Sequence, residues 1–94
     1  MNNEKRLDVT QVQVFPFRNG AYLGRLRGIA LVELEGAIIL RSLRIVEGID
    51  GEIRVDFPAD PFYRGEGDRP LVCVNEPTRR AIEEAVLARY RESA

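Results

Sequence analysis

The run IALVELEGAIILRSLRIVEGIDGEIRVDFP, Ile29–Pro58, constrains this chain more than any other. Ile29–Glu35 alternates, with Ile29, Leu31 and Leu34 apolar and Glu33 and Glu35 polar. Gly36 breaks it. Ala37–Val46 starts apolar at Ile38, Ile39 and Leu40, then turns half-polar through Arg41, Leu43, Arg44 and Ile45. Gly48–Gly51 reads as a loop with a glycine at each end. Ile53–Phe57 alternates cleanly, Ile53, Val55 and Phe57 on one face and Arg54 and Asp56 on the other. Period-2 alternation bounded by glycine predicts half-buried antiparallel strands. Pro58 ends the last strand because it brings no N–H to a ladder.

The flanks add to this unit. Met1–Arg6 is polar and expected to fray. Asp8–Phe17 reads as a strand, with Thr10, Val12 and Val14 on one face and Val9, Gln11 and Gln13 on the other. Pro16 marks an edge strand or its end. Arg18-Asn19-Gly20 predicts a turn. Leu23–Glu35 then resumes as a long strand, bulged or interrupted near Gly28, so the first two strands form a hairpin. Arg69–Val74 predicts a short further strand, with Pro70 suited to its first residue or to an edge and Cys73 buried in it as a small hydrophobe. A helix follows over about Pro77–Arg91. Thr78, Ile82, Ala85, Val86 and Tyr90 form its apolar stripe, and Asn75, Glu76 or Thr78 supply its cap. Arg79 with Glu83, and Arg80 with Glu84, sit four apart on its outer side. The fold class is therefore α+β: about five antiparallel strands and one C-terminal helix, a single domain over residues 1–94. A chain this short buries a small core and gains from association.

Composition excludes more than it selects. No histidine is present and there is one cysteine, so the commonest general base and any thiolate metal site are missing. No phosphate-cradling loop or nucleophile elbow occurs. The chain reads as a non-enzyme with no cofactor and no small-molecule substrate. No apolar run approaches the ~20 residues of a membrane span, and MNNEKRLD is not a signal segment, so the expected location is cytoplasmic. The net charge is −1, which does not advertise nucleic-acid binding. Between Pro58 and Arg69 lies a long loop, ADPFYRGEGD, with Phe62 and Tyr63 inside it. Either a ring tucks under the loop and pins it, or the pair forms an exposed tip for stacking or for a partner.

Five patterns recur in order: Asp8-Val9-Thr10-Gln11-Val12; Gly24-Arg25-Leu26-Arg27-Gly28-Ile29-Ala30; Leu43-Arg44-Ile45-Val46-Glu47-Gly48; Val55-Asp56-Phe57-Pro58; and the helix from Pro77 to Tyr90. Together they resemble the SpoVG family (stage V sporulation protein G), from about Leu7 to Tyr90. The resemblance implies a small antiparallel sheet with a C-terminal helix, paired into a homodimer through its strands. It also implies a DNA- and RNA-binding regulator tied to septation and sporulation. One departure stands out. Where the family carries Ser-Lys-Arg after its Met-Pro, this chain has Ala59-Asp60-Pro61. Arg44 and Arg79 match family arginines, Arg80 adds a charge, and Arg64 and Arg69 flank the loop as replacements. The candidate nucleic-acid contacts are Arg44, Arg64, Arg69, Arg79 and Arg80, with Phe62 or Tyr63 stacking on a base or meeting a partner. The alternative is a dimeric protein-interaction module without nucleic-acid affinity.

Overall fold

The computed structural model describes residues 5–17 and 24–93. The expected Arg18–Gly20 turn and the first four residues of the chain lie outside them. Four strands form one antiparallel sheet in sequence order: β1 (Val9–Pro16), β2 (Leu26–Leu34), β3 (Ile38–Glu47) and β4 (Ile53–Asp56). One helix, α1 (Glu76–Ser93), follows. The two layers meet over Ala30, Val32, Leu34, Leu40, Leu43, Ile45 and Val55 from the sheet and Ile82 and Val86 from the helix. Sheet and helix each have one apolar side, and laying one on the other removes both from water.

Bulges decide which residues reach that core. β1 spends Val9, Thr10 and Gln11 where β2 spends only Leu34 and Glu33. The extra residue, Thr10, shifts the alternation by one. Val9 therefore joins Val12 and Val14 against the core. Thr10 is exposed instead of sharing their face, and its hydroxyl accepts the Gly36 N–H at 3.0 Å and lies 2.9 Å from Glu33 Oε2. A second bulge lies between Leu40 and Leu43, where Ser42 takes φ +64°. It lets two leucines three apart in sequence face the same helix, which strict alternation forbids. A third falls at Arg27, beside Gly28 as expected. A Cβ on Gly28 would approach the Phe15 carbonyl oxygen to 3.0 Å, so the close β1–β2 packing needs glycine there. In β2, Gly28, Ala30, Val32 and Leu34 are buried, and Ile29 and Leu31 alternate with them, half-buried.

The β2–β3 connection has φ +55° at Glu35 and +62° at Gly36, closed by Ala37 N–H donating to the Leu34 carbonyl at 2.9 Å. Paired positive φ values match the twist of the flanking strands. At the helix start, Asn75 Oδ1 accepts the Thr78 N–H at 3.1 Å and its amide donates to the Lys5 carbonyl at 2.8 Å. Buried Thr78 accepts the Leu7 N–H at 3.0 Å. The segment from Lys5 onward, expected to fray with the rest of Met1–Arg6, is therefore held.

The expected fifth strand does not form. Within Arg69–Val74 only Pro70 makes a ladder contact, an isolated antiparallel bridge to Ala59. Pro70 has no N–H with which to extend it. Leu71, Val72 and Cys73 are exposed and only Val74 packs on the core, so Cys73 is not the buried hydrophobe that the sequence predicts. No helix among the described residues is long and apolar enough to cross a membrane.

Candidate nucleic-acid interface

The loop after β4 is closed and braced by its own hydrogen bonds. Leu71 N–H donates to the Pro58 carbonyl at 3.0 Å and Asp60 N–H to the Arg69 carbonyl at 2.7 Å, which close its neck. Inside, the Asp60 carboxylate accepts the Phe62 N–H at 2.9 Å and the Arg69 guanidinium at 2.7 Å. These bonds, the Arg69 contact first, hold Asp60 below the ordinary carboxylate value. The Arg69 guanidinium lies over the Tyr63 ring, 4.6 Å from its centroid. The phenol of Tyr63 covers Gly65 so closely that a side chain there would collide with it. The two aromatic residues thus divide the two readings between them. Tyr63 pins the loop from within, and Phe62 stands out of it, 81% exposed.

Asp60 is therefore more than a lost cation. It folds the loop, and it ties up Arg69, one of the five candidate arginines. Arg79 and Arg80 are also engaged. Arg79 reaches Glu76 at 3.0 Å and Glu83 at 3.2 Å, and Arg80 reaches Glu76 at 3.4 Å. Glu76, not the expected Glu84, is the partner of Arg80. The Arg79 guanidinium holds the Glu76 carboxyl below its ordinary range, and Glu76 in turn raises Arg79. Glu76 stands three and four residues ahead of the two arginines, at helical spacing, so the signal was present in the sequence.

Arg44 and Arg64 make no ion pair or hydrogen bond among the described residues. Arg64 is exposed beside Phe62 in the loop. Arg44 is exposed on the sheet face away from the helix, opposite Asp56 of β4. A shallow hollow there is lined by Arg44, Asp56 and Asp68, a mixed rather than a positive site. Arg54, which the sequence reading did not single out, joins Arg44 on this face, opposite Val46. The alternation in Ile53–Phe57 was its signal. No helix or strand among the described residues covers this face. The five arginines thus differ in their partners. Two are free, one on the loop and one on the sheet, and three are engaged by acids. Among the described residues no group of three or more histidines, cysteines or acids is placed to hold a metal.

Comparison with known proteins places this geometry among relatives. The family model SpoVG matches residues 7–92. A protein of Phytoplasma australiense named "Putative septation protein SpoVG" is 32% identical over 68 residues, covering 72% of this chain and 70% of the relative. One of the same name from Oceanobacillus iheyensis is 33% identical over 70 residues, covering 74% and 72%. Another from Geobacillus thermodenitrificans is 31% identical over 67 residues, covering 71% and 69%.

Proposed function

Since the chain belongs to the SpoVG family, we propose that it is a dimeric nucleic-acid-binding regulator of septation or of sporulation-type development. The septation role comes from the names its relatives carry. The observation that carries nucleic-acid binding is the Pro58–Leu71 loop, closed at its neck and pinned by Tyr63, which presents an exposed Phe62 ring and, two residues on, an Arg64 with no partner among the described residues. An aromatic face for a base beside a guanidinium for a phosphate is how single strands are held without base-specific contacts. Arg79 and Arg80 contribute only when a phosphate displaces Glu76. The test is anisotropy titration of labelled single-stranded RNA and duplex DNA at low salt. Phe62→Ala and Arg64→Ala each weaken binding, and Arg64→Ala reduces the salt slope by about one. Equal binding by both variants and the natural protein removes the loop from the site. Equal binding by an Arg79→Ala/Arg80→Ala double variant removes the helix start.

A second reading has its own observation. Three of the five candidate cations already hold carboxylates, which favours a protein-interaction module with Phe62 as its anchor. Under that reading neither nucleic acid binds at low salt, and Phe62→Ala abolishes capture of a purified protein partner.

A further inference from the structure

Two carboxylates hold three of the five candidate cations, and they do so on different terms. Asp60 is part of the loop's framework. Besides the Arg69 guanidinium it accepts the Phe62 N–H, inside a neck closed by backbone bonds. Glu76 supports nothing else. Among the described residues its side chain meets only Arg79 and Arg80. Both of its oxygens accept the Arg79 guanidinium at 3.0 Å, and Oε2 lies 3.4 Å from Arg80 Nε. The helix does not need it as a cap, because Asn75 accepts the Thr78 N–H. We infer that Glu76 is an internal competitor for phosphate, which masks Arg79 and Arg80 and sets how strongly the helix start takes nucleic acid. This rests on the proposed function and adds how one part of its site is controlled.

The competition follows from chemistry. A carboxylate and a phosphodiester offer a guanidinium the same thing, two oxygens that share one negative charge. A phosphate arriving at Arg79 therefore replaces Glu76 like for like, and the exchange gains little. It is nevertheless open to a ligand. The side chains of Glu76 and Arg79 are 48% and 46% accessible and that of Arg80 69%, so water and salt already weaken the pairs. The two arginines differ once Glu76 is gone. Arg79 keeps Glu83 at 3.2 Å, which still orients its fork. Arg80 has no second partner among the described residues and is released outright.

Position makes the release matter. A groove of about 340 Å³ beside β4 is lined by Val55, Phe57, Pro70 and Val72 and, from the helix, by Arg79. Pro70 and Phe57 stand at the neck of the Pro58–Leu71 loop, so the masked pair borders the ground from which Phe62 and Arg64 project. A strand held by the loop has Arg79 and Arg80 as its next cations on that side.

The test is anisotropy titration of the full chain with labelled oligouridine at low salt. Glu76→Gln raises the affinity by about fivefold or more, the worth of two exposed pairs. It also steepens the salt dependence by about 0.7 for each arginine that gains a phosphate. Loss of any acid helps a polyanion bind, so Glu84→Gln is the control. Glu84 is exposed on the same helix with no partner among the described residues, and its variant gains clearly less. In an Arg79→Ala/Arg80→Ala background, Glu76→Gln gains no more than Glu84→Gln does. Circular dichroism checks that each variant folds, and Glu76→Ser repeats the measurement with a different side chain. If Glu76→Gln and Glu76→Ser gain no more than Glu84→Gln in the natural background, Glu76 is not a competitor. The regulator still stands in that case, provided that Phe62→Ala and Arg64→Ala weaken binding. If no variant binds oligouridine or duplex DNA, both fall.

Discussion

The sheet has two edges, and they are finished differently. β1 carries a bulge at Thr10, a proline at its end, and the Arg89 guanidinium, which donates to the Val12 carbonyl at 3.4 Å from the overlying helix. Each of these is a known way to keep an edge from pairing. β4 has none of them. It is four residues long, unshifted in its register with β3, and bordered by exposed Leu71 and Val72, while α1 packs against its core side. The two edges are thus finished by different means, β1 by a bulge, a proline and an overlying guanidinium, and β4 by its brevity and its charged Arg54 and Asp56. Both strands lend side chains to the core, Val12 and Val14 from β1 and Val55 from β4, and the difference lies beyond them: capping beside β1, and a loop closed by charge and backbone bonds after β4.

The sharpest way to break this comparison is to delete apolar volume on each side. Ile82 is fully buried between helix and sheet, and Ile82→Ala costs about 2–5 kcal/mol, read as a drop in the denaturant midpoint. Val72 is exposed beside the β4 groove, and Val72→Ala changes protomer stability by less than about 0.5 kcal/mol. If pairing at β4 covers Val72, its truncation weakens the dimer while the protomer stays as stable. Equal losses of protomer stability at both sites end the claim that the two sides are held differently.

Next in size is the cap. Asn75→Ala removes the acceptor for the Thr78 N–H and the donor to the Lys5 carbonyl, and costs about 1 kcal/mol. Hydrogen exchange should show the Leu7 amide opening as well, since Thr78, its acceptor, sits on the freed turn. An unchanged Leu7 amide means that the N-terminal segment is held by something other than the helix start.

Much of this architecture was legible in the sequence, and the losses have definite causes. Ile53–Phe57 and the helix stripe of Thr78, Ile82 and Val86 follow from periodicity because nothing interrupts it. Thr10 and Ser42 do not, because a bulge is a choice about pairing with another strand and leaves no local mark when the residue is not glycine. Arg69–Val74 has strand composition but follows a loop closed at Pro58–Leu71, and with Pro70 at the bridge the chain finds no ladder to join. The candidate arginines were legible as residues but not as free charges. Their freedom depends on Asp60, nine residues from Arg69, and on Glu76, whose pairing with Arg80 competes with that of Glu84.

A smaller effect tests the guarded edge alone. Arg89 is exposed, and its bond to the Val12 carbonyl is long, so Arg89→Ala leaves stability almost unchanged. It uncovers β1, and the expected outcome is concentration-dependent self-association stronger than that of the natural protein. If Arg89→Ala associates no more than the natural protein, Arg89 is not the guard and the Thr10 bulge with Pro16 suffices.

The least expected effect is an asymmetry in acid. Asp60 is held below its ordinary value of 3.8 by Arg69 and the Phe62 N–H, with burial opposing. A carboxyl lowered on folding contributes stability that is present in full above its unfolded value and is lost as pH falls through the folded one. The Pro58–Leu71 clamp should therefore hold from neutral pH down past the ordinary carboxyl range and open only below it. The Tyr63 ring resonances are the reporter, because Arg69 lies on that ring only while Asp60 holds the guanidinium. The methyls of Val86, fully buried in the core, should stay in place over the same interval. Asp60→Asn should abolish the Tyr63 transition and leave Arg69 free at every pH. If the Tyr63 and Val86 signals instead move together, the loop and the core form one cooperative unit, and the β4 side is held by the same burial as the β1 side.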